Sequence, residues 1–171
     1  GRLLGSLGAD VVKIEPPDGD PNRWLPPFAG DIPDRERSLT FINANTDKRS
    51  VILDLEHDSS ERSILEQLLS TCDLLVEATP SGYLDTLGFT KEKLESLNPR
   101  LITVSITPFG RTGPHSSYKG SEAIAQATSG LMYIQGDNNR PPAVAPSQPA
   151  YQIASYLAAF LALAAIQHRR K

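Results

Sequence analysis

Few of the side chains that enzymes use as nucleophiles or metal ligands are grouped in this sequence. The single cysteine, Cys72, excludes an internal disulfide and a cysteine-built metal cage. It reads as a small buried hydrophobe in a reducing compartment. His57, His115 and His168 stand far apart with no metal-ligand spacing, so no metal site is expected. There is no G-x-S-x-G elbow and no Walker loop, and Gly110 to Gly113 is too short and misplaced for a dinucleotide fingerprint. What does point to a site is a position. Leu101 to Ile106 is apolar and β-branched, which suits a buried strand, and the prolines and glycines of Thr107 to Pro114 must then break the chain into a loop. Ligands of open α/β sheets bind at that place, beyond the carboxyl end of a strand.

The elements that must carry this loop alternate in type. A helix runs to Leu7, Gly8 ends it, and Asp10 to Ile14 forms a strand. Pro16 to Ser38 is dense in proline and charge and reads as a long surface loop. Leu39 to Asn43 reads as a short strand or a helical turn, and Ser50 to Leu55 as a strand. Ile64, Leu65, Leu68 and Leu69 fall at helical spacing within Ser59 to Leu69. Asp73 to Glu77 is the next strand, Lys91 to Leu97 a short helix before Asn98-Pro99, and Ser121 to Met132 a helix packed through small residues. This alternation predicts an α/β fold: a three-layer, Rossmann-like, open and mainly parallel sheet with helices on both faces. One domain over residues 1–171 is expected, since the length suits one core better than two.

Charge excludes some partners. With 17 basic and 20 acidic residues there is no electrostatic case for nucleic acid or an anionic membrane surface. No basic stretch followed by an apolar run opens the chain, so nothing reads as a secretory signal, and a cytoplasmic location is expected. Ala150 to Ile166 is long, alanine-rich and uncharged; Gln152 and Ser155 make it a marginal membrane span, and a packed core helix is the expectation.

The run Asn98 to Met132, with Pro108-Phe109-Gly110, Gly113-Pro114 and Ala125-Gln126-Ala127-Thr128-Ser129-Gly130-Leu131-Met132, resembles the family III coenzyme A transferases, also known as the carnitine dehydratase and bile-acid-inducible family. Gly8 to Pro17, Gly19-Asp20-Pro21-Asn22-Arg23 and Asp47 to Leu55 are similar to further blocks of that family in the same order, so the resemblance covers most of the chain. It implies the same three-layer fold, and CoA or acyl-CoA as a substrate with no tightly bound cofactor. It also implies interlocked homodimers, and it places a first strand before Gly1 and a long C-terminal half after this chain, so a fragment is expected.

A CoA site needs cations for its phosphates, as arginine forks or lysine point charges. The family motifs put Arg23, Lys48 and Lys119 in that role here, against the plain alternative that each is a solvated surface charge. Arg49 and Arg111 carry less weight, Arg49 as a turn support and Arg111 because the family often has glutamine there. Glu122 is either a residue of a helix N-terminus, the favoured reading, or a site-facing carboxylate.

Two positions depart from the family. Its nucleophilic aspartate, which takes the acyl group as an anhydride while the thiolate leaves, aligns with Ala150 in Ser147-Gln148-Pro149-Ala150-Tyr151. No carboxylate close in sequence replaces it, Asp137 lying in a separate hydrophilic turn. The family's arginine before Pro-Gly is Pro80 in Glu77-Ala78-Thr79-Pro80-Ser81-Gly82. The expectation is a copy with no catalytic residue of its own, a degenerate half of a larger or tandem protein. The alternatives are an interaction module that binds no CoA, and an enzyme of the racemase branch that shares the fold.

Overall fold

The structure is a computed structural model, and it describes residues 1–137 and 139–170. The chain divides into two compact units, Gly1–Thr71 and Cys72–Lys171.

The first unit opens with α1 (Arg2–Ser6). Gly8 follows with φ +96, and the Ala9 amide reaches back to the Leu4 carbonyl at 3.0 Å, the glycine-dependent helix stop read from the sequence. β1 (Val11–Glu15) then runs parallel to β2 (Lys48–Ile52), with Val11 opposite Lys48 and Glu15 opposite Ile52. A parallel pair needs a long crossover, here the loop after β1 and α2 (Leu39–Asn45). The loop predicted for Pro16 to Ser38 contains two short 3-10 turns, Pro21–Trp24 and Ala29–Asp31. Asp20 caps the first by accepting the Asn22 amide. Ser38 caps α2 by accepting the Phe41 amide, so the segment left open between strand and helix is a helix. β2 starts earlier than predicted, at Lys48. α3 (Ser59–Thr71) buries Leu65 and Leu69 along one stripe, as its spacing required.

In the second unit β3 (Leu74–Glu77) pairs in parallel with β4 (Ile102–Ser105), Leu74 opposite Ile102 and Glu77 opposite Ser105. The crossover holds α4 (Tyr83–Thr86), which the sequence reading did not contain, and α5 (Lys91–Leu97), which it placed correctly. The predicted helix Ser121 to Met132 is two helices, α6 (Glu122–Thr128) and α7 (Leu131–Ile134), because Gly130 takes φ +81 between them.

α8 (Pro149–Arg169) is the last helix among the described residues. Arg169 fastens its last turn by donating to the Arg100 carbonyl and the Asp73 carboxylate. The core packing expected of α8 is not found among the described residues. Only Ala159 and Ala162 are buried, while Tyr156, Leu157 and Phe160 are more than half exposed. By length and composition α8 could cross a membrane, and 11% of its most apolar window is buried.

The fold is therefore α/β with parallel strands joined by helical crossovers. Its hydrogen-bonded strands form two separate parallel pairs among the described residues, where the alternation had suggested one continuous sheet.

Candidate functional site

In the first unit, a charged network is assembled where β1 ends. Glu15 is 2% exposed, an environment that a carboxylate tolerates only with full pairing. Arg23, in the 3-10 turn, grips it with a two-pronged fork: Nε donates to Oε2 at 2.8 Å and Nη2 to Oε1 at 3.0 Å. The Ser50 hydroxyl from β2 donates to Oε1 at 2.7 Å, and the Asp20 amide to Oε2 at 3.1 Å. The Arg23 bond, helped by Ser50, the Asp20 amide and the guanidinium charge, outweighs burial and pulls the Glu15 carboxyl down to about 2. Arg23 also donates from Nη1 to Glu36 at 3.1 Å and lies 4.1 Å from the centre of the Phe41 ring.

A cleft of about 370 Å³ opens beside this network, lined by Arg23, Glu36, Phe41, Ile42, Asn45 and Thr46. Lys48 donates to Oδ1 of Asn45, one of the lining residues, at 2.8 Å. Burial, and then the nearby charge of Lys13, lower the Lys48 pKa, with Asp20 opposing. Asp20 is itself taken by Lys13 at 2.5 Å. Lys48 is thus a half-buried cation beside a second cation, an arrangement that an anion would stabilise. Of the three cations predicted for phosphate, the fold brings Arg23 and Lys48 to this one network and commits Arg23 to two carboxylates. Arg49 points elsewhere, to Asp10 on the exposed surface.

In the second unit the loop after β4 holds Phe109, His115 and Tyr118 in mutual ring contact at 4.8 to 6.3 Å. Arg111 joins the strand ends there, reaching Asp85 at 3.1 Å and Glu77 at 3.9 Å. Gly120 packs so closely on Pro108 that no side chain fits between them. Lys119, the third predicted cation, is exposed in this loop, and Pro80 is exposed in the turn after β3.

The residue whose role the sequence understated is Glu122. It does lie at the start of α6, as read, yet its carboxylate serves a different helix. Oε1 accepts the Ala150 amide at 2.8 Å and Oε2 the Tyr151 amide at 3.0 Å, both from the first turn of α8. Gln126, 0% exposed, donates to Oε1 at 2.9 Å and exchanges two hydrogen bonds with the backbone of Ala145. Burial raises the Glu122 carboxyl, and the hydrogen bonds from Ala150, Gln126 and Tyr151 together overcome it, leaving a net lowering. A carboxylate therefore does adjoin Ala150, brought from 28 residues away. The only signal for it was the spacing of Glu122 and Gln126 on one helical face.

The chain is 41% identical over 158 residues to a succinyl-CoA:(R)-benzylsuccinate CoA-transferase subunit, BbsE, of Thauera aromatica, which covers 92% of this chain and 38% of that one. It is 37% identical over 164 residues to the human succinyl-CoA:glutarate CoA-transferase, covering 95% of this chain and 36% of that one. This chain thus spans well under half the length of these curated relatives. Among solved structures, a CAIB/BAIF family protein from Brucella suis superposes with a TM-score of 0.91 at 32% identity, over 99% of this chain and 45% of that one. The model of CoA-transferase family III matches residues 1–171, and the chain belongs to that family.

Proposed function

We propose that this protein, in the cytoplasm, takes part in moving CoA between a CoA thioester and a carboxylic acid, and that the present chain binds the CoA thioester. Lys48 carries the reading. A half-buried ammonium close to Lys13, with Asp20 already paired to Lys13 and only Asn45 as its own acceptor here, would be stabilised by a phosphate bound near Asn45. Lys119, exposed in a loop of the second unit, is a candidate phosphate contact by its family motif alone, separate from the Lys48 cleft. Arg23 shapes the cleft through Glu15 and Phe41 and makes no phosphate contact of its own, since two carboxylates already hold its guanidinium. The aspartyl anhydride route is closed in this chain because Ala150 offers only a methyl group.

Calorimetric titration with CoA tests this directly. Saturable binding that weakens at least about tenfold in Lys48→Ala supports it, that being the loss of one charged phosphate contact. Binding unchanged by Lys48→Ala and Lys119→Ala removes the assigned contacts. One observation favours a second reading, an interaction module without CoA: the cleft's arginine is fully engaged by Glu15 and Glu36. A titration with no saturable heat selects that reading.

A further inference from the structure

We infer that Glu36 is an autoinhibitory contact at the cleft of the first unit: its carboxylate closes Arg23 to an anionic ligand and so limits how tightly the chain holds CoA. The inference rests on the reading that a CoA thioester binds through Lys48, and it adds what restrains that binding.

The two carboxylates on Arg23 are not equivalent. Glu15 is 2% exposed and holds Nε and Nη2 while also accepting from Ser50 and the Asp20 amide, so its loss would strand a nearly buried guanidinium. Glu36 is 66% exposed and meets Nη1 alone, with its two oxygens 3.2 and 3.1 Å from that one nitrogen. So exposed an ion pair adds little to stability, and the fold does not depend on it. Glu36 is also the one acidic side chain among the residues that line the cleft of about 370 Å³, and Glu15 is not one of them. It therefore sets a negative charge on the ligand's side of Arg23.

The backbone that carries Glu36 is pinned in this position. Its amide donates to Asp34 Oδ1 at 2.8 Å, and the Arg37 amide reaches the Asp34 carbonyl at 3.0 Å. Ser38, 0% exposed, donates from its hydroxyl to the Leu25 carbonyl at 2.5 Å. The turn thus keeps a carboxylate at high local concentration beside Nη1, with Arg35 Nε helping to hold it at 3.3 Å from Oε1. Glu15 and the Phe41 ring, 4.1 Å from the guanidinium carbon, keep Arg23 in place whether or not Glu36 is charged. With Glu36 ionised the ligand meets Lys48 and no arginine. With Glu36 neutral, Nη1 is open to the cleft as a second charged contact.

Calorimetric titration of the whole chain with CoA compares the wild type with Glu36→Gln, Glu36→Ala and Asp31→Asn. Asp31 is an exposed charge of the same loop that is not bonded to Arg23, and asparagine tolerates its φ of +55. A melt followed by Trp24 fluorescence checks the folding of each variant. CoA should bind about tenfold more tightly to both Glu36 variants, with a steeper loss of affinity on adding salt, while Asp31→Asn changes nothing. Binding confined to the Glu36 variants also supports the inference. Wild-type binding that depends on Lys48 but is not tightened in either Glu36 variant overturns the inference and leaves the proposed function standing. Equal tightening by Asp31→Asn overturns it as well, since the effect is then one of overall charge. No binding to any of the four proteins overturns both.

Discussion

The backbone amide of Ala150 donates to Glu122 Oε1 at 2.8 Å, so the first turn of α8 is bonded to a carboxylate carried by α6. The methyl group of Ala150 leaves the first turn of α8 without an acid of its own, and α6 supplies one.

Glu122→Ala should destabilise the second unit by about 1 to 2 kcal/mol, because two first-turn amides of α8 and the buried Gln126 lose their acceptor. Urea unfolding followed by far-ultraviolet circular dichroism measures it. The carboxyl is lowered from its ordinary value of 4.5, so its contribution is complete above that pH and is lost as pH falls through the lower folded value. Glu122→Gln should flatten that acid dependence.

Glu15 sets the acid limit of the first unit. Its carboxyl falls from 4.5 unfolded to about 2 folded, which corresponds to on the order of 3 kcal/mol of stability present above pH 4.5. That stability should disappear between pH 4.5 and about 2. Trp24, the one tryptophan, neighbours Arg23 and reports the transition by fluorescence. In Glu15→Gln the guanidinium loses its charged partner and the unit should already be weakened at neutral pH, by about 3 kcal/mol or more.

Lys48 yields opposite effects on stability and on binding. Its pKa is lowered in the fold, so the charged form costs stability in full below the folded value, and the cost fades as pH rises from there to the unfolded value of 10.5. Lys48→Met should therefore leave the ligand-free protein as stable or up to about 1 kcal/mol more stable, yet weaken CoA binding about tenfold. Thermal melts with and without CoA separate the two, and a variant that loses stability without ligand would contradict the assignment.

Gly120→Ala tests the packing of the loop after β4. An added Cβ would sit 2.3 Å from Pro108 Cβ and 2.6 Å from its Cγ, with Phe109 at 3.5 Å. Overpacking of this kind costs about 1 to 3 kcal/mol, and the thermal midpoint should fall accordingly.

Much of the architecture was legible because its causes are local. The Gly8 stop, the stripe of α3 and the bounds of α5 follow from residues within a few positions of one another. The break at Gly130 was missed since small apolar residues on both sides kept a helical pattern through a residue that takes a positive φ. α4 is a four-residue helix, too short to leave a periodic signal.

The site was legible only in part, for the same reason. Arg23 could be named as a functional cation from its motif, but its partners Glu15 and Glu36 lie on either side of a loop without regular periodicity. Lys48 acquires its character from Lys13 and Asp20, which the parallel register of β1 and β2 sets beside it.

By itself the sequence determined the family and the alternation of strands with helices, since these depend on residue types and short spacings. Tertiary structure alone decided that Arg23 is paired with two carboxylates, that Lys48 is half-buried near Lys13 and Asp20, and that Glu122 accepts the first amides of α8. A charge has its energy from whatever lies within a few ångströms, and in each of these cases the decisive neighbour comes from a distant part of the chain.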